Sequence, residues 1–420
     1  MEIRDPIHGA IAVADSEIPV VDHAWMQRLR HIRQTGFSHV PFPGATHTRF
    51  SHSLGVMHLA GLAFDRAYTG FSFAEPGARD RFRQALRLAA LCHDLGHAPF
   101  SHCMEFALPA ESELGLRWAA PESAPRKATH EDYTVAILEQ TDLGQAVTQA
   151  GSASARDVAA LLSQRVTPDG NFFVDGGLNH QPLLSQIVSS ELDVDRLDYL
   201  GRDALYTGTR YGTVDVPWLL SNLRTWVDGS RVSLAIDGSA VLAFEHFLLA
   251  RHHMFLMVYF HHKSVVYEEL LRKHVSSPSN PWVISADLDQ YRRVDDVALL
   301  AHLRTCTSEA ARRIVEYQPY RRLVERQGTA ADVDLTANAE TLRSHGIDVI
   351  HTSSTQRLSR YAGMGHKRTA APPIWVLTEG GRQSVTLDQA SRVFERYGDD
   401  HVIARLYVPP EDLQKAQALR

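Results

Sequence analysis

Cysteine is scarce, with three in 420 residues (Cys92, Cys103 and Cys306) and no CxxC pair. That excludes a disulfide framework and points to a reducing compartment, where Cys92 and Cys103 are expected to pack as small apolar side chains. An excess of positive charge is also missing. Forty-three basic against 49 acidic side chains leave −6, so no global basic field draws nucleic acid or an anionic membrane; a local basic pocket remains allowed. No apolar run reaches the ~20 residues of a membrane span. The richest, residues 244–259, is interrupted by Glu245, His246, Arg251, His252 and His253. The amino terminus, MEIRDPIHGAIAV, puts charges and a proline where a signal peptide needs an apolar core. A cytoplasmic chain with no membrane partner is therefore expected.

Nor is the composition biased. With 44% hydrophobic and 22% charged residues, collagenous, coiled-coil and disordered classes drop out. The length exceeds the usual ~150-residue domain, so a compact core plus an appendage is expected. What is abundant is histidine. Eleven of the 23 lie in the first 130 residues, which directs attention there for metal or proton-transfer chemistry.

Apolar periodicity predicts helices over most of the chain. Residues 22–34 form one expected helix, capped by Asp22, and residues 52–68 and 81–96 form two more, the last stopped by Gly96. Thr129, with Asp132 three positions on, predicts a helix from His130. The longest periodic segments are 182–206 and 244–274, with a small hairpin expected between them around Asp237-Gly238. Composition shifts after about residue 327. Beyond it, β-type runs at 347–350, 373–378 and 401–408 and a helix at 388–397 predict an α+β appendage over 328–420, behind a mainly α core over 1–327.

The doublet His93-Asp94 follows an apolar helix just before a glycine. Neighbouring side chains there project about 100° apart, yet both reach a cation placed beyond the helix end. His52 heads an earlier helix, and Asp195, Tyr199 and Asp203 make a polar stripe on a later one. Histidine with carboxylate suits Fe, Mn, Zn or Mg.

These residues, in the order His52, His93-Asp94, Asp195, resemble the HD-domain metal phosphohydrolases. The flanking strings DPIHG (5–9), QRLR (27–30), FPGATHTRFSHSLGV (42–56), CHDLGHAPFSH (92–102), THE (129–131) and DVDRLDYLGRD (193–203) are similar to its deoxynucleoside triphosphate triphosphohydrolase branch. The matches are dense from residue 5 to about 210 and thin afterwards. The resemblance implies an HD-domain helical core with His52, His93, Asp94 and Asp195 as ligands of one divalent ion, or two. It implies that water activated there attacks the α-phosphorus, releasing deoxynucleoside and tripolyphosphate, while His102 protonates the leaving 5′-oxygen. Glu105, His130 and Glu131 then fall on relay and orienting positions. His97 falls on an α-phosphate contact; Arg49, Arg196, Tyr199 and Arg251 fall on groups that hold the phosphate chain; Gln34 and Asp203 fall on contacts to the sugar 3′-hydroxyl. Asp22 and Arg30 match an allosteric site for an activating nucleotide, and a homo-oligomer is implied. With the first motif at residue 5, no SAM domain is expected ahead of the core.

Three positions depart from the pattern. Thr35 stands where a larger apolar residue usually packs on the sugar, Ser51 replaces a glutamate before the first metal histidine, and Glu105 replaces an aspartate. Two other readings stay open. One keeps the metal site but changes the substrate, giving a phosphatase, a phosphodiesterase or nuclease, or a signalling-nucleotide hydrolase. The other is a nucleotide-sensing regulatory protein with little turnover.

Overall fold

The computed structural model describes residues 1–117, 126–278, 282–328, 332–356, 373–378, 381, 383–393 and 401–419. It is mainly α-helical, with a smaller sheet-containing carboxy-terminal part, as the sequence predicts. Two long helices, Arg49–Ala67 and Ala78–Cys92, pack against each other at the centre. The first is apolar on nearly every face, and Phe50, Leu54, Met57 and Phe64 are all buried, the pattern of a helix surrounded by its own protein. Val194–Thr207 and Gln181–Val188 lie against it, so the ends of three central helices converge.

Several expected boundaries move. The 22–34 helix is only Ala24–Arg28, continued by a 3-10 turn at Leu29–His31, and its cap is His23, whose ring accepts from Trp25 N at 3.3 Å. Asp22 instead ends the short helix Ile18–Val21. The 182–206 segment is two helices parted at Ser189, because Asp193 caps a fresh helix by accepting from Arg196 N at 2.9 Å. Asp195 therefore sits in a first turn, not mid-helix. The 244–274 segment is likewise divided into Val241–Met254, a π-helical turn at Phe255–Tyr259, and His262–Val275. Across Gly238–Tyr259 the helix is apolar and long enough to cross a membrane, with a mean hydropathy of 1.2. Phe244, Phe247, Leu248 and Met254 are packed in the core, and a core helix of a soluble protein meets the same criteria.

The hairpin is also displaced. Arg231–Asp237 pairs with the preceding Leu223–Asp228, turning at Gly229 (φ 57°), while the residues after Asp237 are helical. The expected division at 327 does not interrupt the strands. Arg321–Gly328 pairs with His401–Val408, which pairs on its other edge with Ile350–Gln356. Trp375–Thr378 runs parallel to Arg231–Asp237. A second apolar cluster, including Leu323, Leu342 and Leu406, lies under the three-stranded sheet, whereas Tyr407 reaches the main core and donates to His262 O at 3.1 Å. Of the helix expected at 388–397, the described residues carry Leu387–Ala390; 394–397 lie outside them.

Candidate metal and active site

Three helix ends supply the centre. His52 stands in the first turn of Arg49–Ala67, His93 and Asp94 directly follow Ala78–Cys92, and Asp195 opens Val194–Thr207. Ligand atoms of His52, His93 and Asp195 lie within 4.8 Å of one another. His52 Nε2 is 3.0 Å from Asp195 Oδ1 and 3.6 Å from Asp94 Oδ2; His93 Nε2 is 3.4 Å from Asp94 Oδ1 and 3.7 Å from Asp195 Oδ1. The donor set fits a divalent cation on a specific ground. Nε2 of His52 and Nε2 of His93 are both buried without a hydrogen-bond partner and both face the same carboxylates. A buried polar atom left so is costly unless a ligand completes it. The local field agrees. Burial works against charge on His52, yet Asp195, Asp198 and Asp94 raise its imidazole to about 10, the sign of a pocket that favours positive charge.

Behind His52 stands a group that sequence reasoning did not assign. Asp198 accepts from His52 Nδ1 at 2.7 Å, lies 2.6 Å from His8 Nε2, and accepts from Arg202 Nε at 2.8 Å. With Nδ1 carrying the proton, Nε2 offers its lone pair, as a metal-ligating imidazole requires. The motif glycine Gly55 makes room for it, since a Cβ there would come within 1.9 Å of Asp198 Oδ1. The available signal was the i,i+3 spacing from Asp195 and i,i+4 spacing to Arg202 within DVDRLDYLGRD.

Beside the cation site lies a second imidazole–carboxylate group. Ligand atoms of His97, His102, Glu105 and His130 fall within 4.8 Å of one another, a spacing that admits a second ion. Glu105 Oε1 is 3.1 Å from His102 Nδ1 and is also bonded by His130 Nδ1. Burial pushes the Glu105 carboxyl up, but those two histidines outweigh it and hold it well below the usual range. His97 stacks on His130 at 4.0 Å and places Nε2 3.1 Å from Asp94 Oδ1. Burial, with Arg49 and His130 adjacent, keeps its imidazole well below the ordinary value. Gly96, expected as a helix stop, serves instead as a point of close approach, because a Cβ would lie 2.0 Å from His130 O. Glu131 does not join this group. It is exposed, and Asp132 next to it turns inward to close the Thr129 capping box.

A cavity of about 550 Å³ opens beside His102. Gln34, Thr35, Arg49, Tyr199 and Asp203 line it with Phe255, Tyr259 and Phe260, and Thr352 closes one side. Gln34 Oε1, Thr35 Oγ1 and Thr352 Oγ1 are buried there without partners. Asp203 lies 2.6 Å from His47 Nε2 and accepts from Tyr259 Oη at 2.7 Å, so its position is fixed from two sides. Arg49 donates to Asp94 Oδ2 at 2.5 Å and to Ser101 Oγ at 2.7 Å, which places it between cation site and cavity. Arg196 and Arg251 do not line the cavity. The former is paired with Asp193 at 2.6 Å and the latter lies 3.5 Å from Glu191. Asp22 and Arg30 are exposed and outside this arrangement; Arg30 bonds Gln27 and covers the Phe50 ring at 3.7 Å.

Comparison with known proteins agrees with this geometry. Residues 49–202 match the HD domain and residues 214–351 the HD associated region. An uncharacterized protein of Methanocaldococcus jannaschii is 28% identical over 77% of this chain and 59% of its own length. One of Bacillus subtilis is 32% identical over 64% of this chain and 54% of its own. The human deoxynucleoside triphosphate triphosphohydrolase SAMHD1 is 32% identical over 49% of this chain and 33% of its own. The chain thus spans between a third and three fifths of the length of these relatives. Among solved structures, a hypothetical protein from Aquifex aeolicus superposes with a TM-score of 0.77 at 25% identity, covering 100% of this chain and 99% of that one. A phosphohydrolase from Bacteroides thetaiotaomicron has the same fold, with a TM-score of 0.70 at 22% identity, covering 97% and 99%. Helix ends bearing His52, His93-Asp94 and Asp195 around one point, within a fold shared with these proteins, make this chain a member of the HD-domain phosphohydrolases.

Proposed function

We propose that the chain hydrolyses deoxynucleoside triphosphates to deoxynucleoside and tripolyphosphate. The observation that carries this reading is the placement of His102, bonded behind the wall by Glu105, on the cavity that Arg49 joins to the cation site. A divalent cation held by His52, His93, Asp94 and Asp195 would polarise a phosphoryl oxygen and acidify water. The protein's own groups do the rest. The sugar and base fit among Tyr199, Tyr259, Phe255 and Phe260, with Gln34 and Asp203 offering polar atoms to a 3′-hydroxyl. His97 and Arg49 face the α-phosphate next to Asp94. His102, held at Nδ1 by Glu105, presents Nε2 to the leaving 5′-oxygen and delivers its proton there; Glu105 and His130 orient it. Similarity to the triphosphohydrolase SAMHD1 over half the chain supports this substrate class.

A second reading, a phosphatase or phosphodiesterase acting on fewer phosphates, has one observation in its favour. Arg196 and Arg251, the arginines expected along a triphosphate, are engaged by Asp193 and Glu191. Product analysis separates the two. A dNTP panel digested with the metal-loaded chain, with and without GTP as activator, yields tripolyphosphate under the first reading. Orthophosphate or pyrophosphate in its place overturns it.

A further inference from the structure

The carboxy-terminal ends of two helices away from the HD centre bring together a second kind of donor set. His274, in the last turn of His262–Val275, is 3% exposed, and its Nε2 has no hydrogen-bond partner. Its Nδ1 is 2.7 Å from Ser308 Oγ, the oxygen that also caps Glu309–Val315 by accepting from Ala311 N at 3.2 Å. When Nδ1 donates to that oxygen, Nε2 carries the lone pair, so the serine selects the ligating tautomer. Facing it are His302, in the last turn of Asp296–Thr305, and Cys306, which ends that helix. Cys306 Sγ is 3.3 Å from His302 Nε2, and ligand atoms of all three residues lie within 4.8 Å of one another. Donors around a tetrahedral zinc stand about 3.3–3.8 Å apart. Trp282 covers the outer side of His302, with ring centroids 4.9 Å apart.

We propose that His274, His302 and Cys306 form a zinc-type cation site, distinct from the HD centre, with water as the fourth ligand. The two sites differ in chemistry. Nitrogen and oxygen donors alone surround the HD position, whereas a thiolate here selects a softer ion such as Zn2+. The ion would tie together a helix that lines the cavity and one that braces the backbone of its wall. His262–Val275 lines it with Glu268 and Glu269, and Asp296, opening the other helix, accepts from Arg33 N at 3.0 Å and Phe100 N at 2.7 Å. This site does not depend on the activity proposed above.

Cobalt substitution of the whole, chelator-stripped chain tests it, because sulfur-to-cobalt charge transfer absorbs in the near ultraviolet and the HD donors contain no sulfur. With Co2+ supplied beyond what both centres take up, the expected result is that band in the wild type and in Asp195→Ala, and its loss in Cys306→Ser. Cobalt affinity at this site should fall at least about tenfold in His274→Ala. Absence of the band in the wild type overturns the proposal, as does a band lost in Cys103→Ser and kept in Cys306→Ser. Should Cys306→Ser fail to fold, thiol labelling of the wild type decides. One equivalent of Zn2+, added to protein whose HD centre is already saturated with Mn2+, slows Cys306 modification at least about tenfold if the site exists and leaves it unchanged if it does not.

Discussion

Asp198 lies 2.7 Å from Nδ1 of His52, at the ring nitrogen opposite the one that faces Asp195. It therefore determines which nitrogen can hold a cation. Replacing Asp198 by Asn removes the negative charge and the fixed acceptor, and affinity for the divalent ion should fall about 10–100-fold. Titration of the chelated protein with Mn2+ reads this directly. Unchanged affinity would show that Asp198 only anchors Arg202.

Asp195 faces both orphaned imidazole nitrogens, so Asp195→Ala should remove metal loading and phosphohydrolase turnover together. Metal content and a turnover panel on one preparation check it. Turnover that outlives the loss of metal refutes the ligand set.

Gly96 admits the His130 backbone at a distance no side chain tolerates. Gly96→Ala forces the helix starting at His130 away from the His93-Asp94 end, at a cost of about 1–3 kcal/mol of stability. Activity should fall as well, because Glu105 depends on His130 for its position. A wild-type urea midpoint in Gly96→Ala rules out the close approach.

His180 is enclosed by Phe71, Phe73 and Phe82, with Nδ1 2.8 Å from Tyr68 Oη. Burial, opposed by Asp175 and helped by Arg81, lowers its imidazole from 6.5 to about 4. The folded protein thus holds it neutral. Its contribution to stability is complete above pH 6.5 and is lost as pH falls towards 4. Thermal unfolding of the metal-free chain should show a lower Tm at pH 5 than at pH 7, and His180→Gln should shrink that difference. An undiminished difference in the variant assigns the effect elsewhere.

Helical class and most helix locations were legible because apolar spacing reports burial along a single element. Breaks were not. Asp193 starts a new helix only because its side chain finds Arg196 N, and the π turn at Phe255–Tyr259 depends on packing that periodicity does not encode. Around the site, the gathering of His52, His93, Asp94 and Asp195 could be anticipated from ordered strings. The pairing of Arg196 with Asp193 was open, since Asp193 lies three residues away and spacing alone does not decide between that carboxylate and a phosphate. Asp198 was missed for another reason. It stands among other acids in one short stretch, where its spacing from Asp195 and Arg202 is a weak signal, and its contact with a ring 146 residues earlier is what distinguishes it.

Every group around the cation position, His52 to Asp203, belongs to the first half of the chain, whereas Thr352 closes the cavity from a strand paired with His401–Val408. Synthesis runs from the amino terminus, and a domain folds as a unit once its parts are present. The cation position is thus complete in sequence by Asp203, whereas the cavity wall is not complete until the strand that carries Thr352 has been made and has found its partner, His401–Val408.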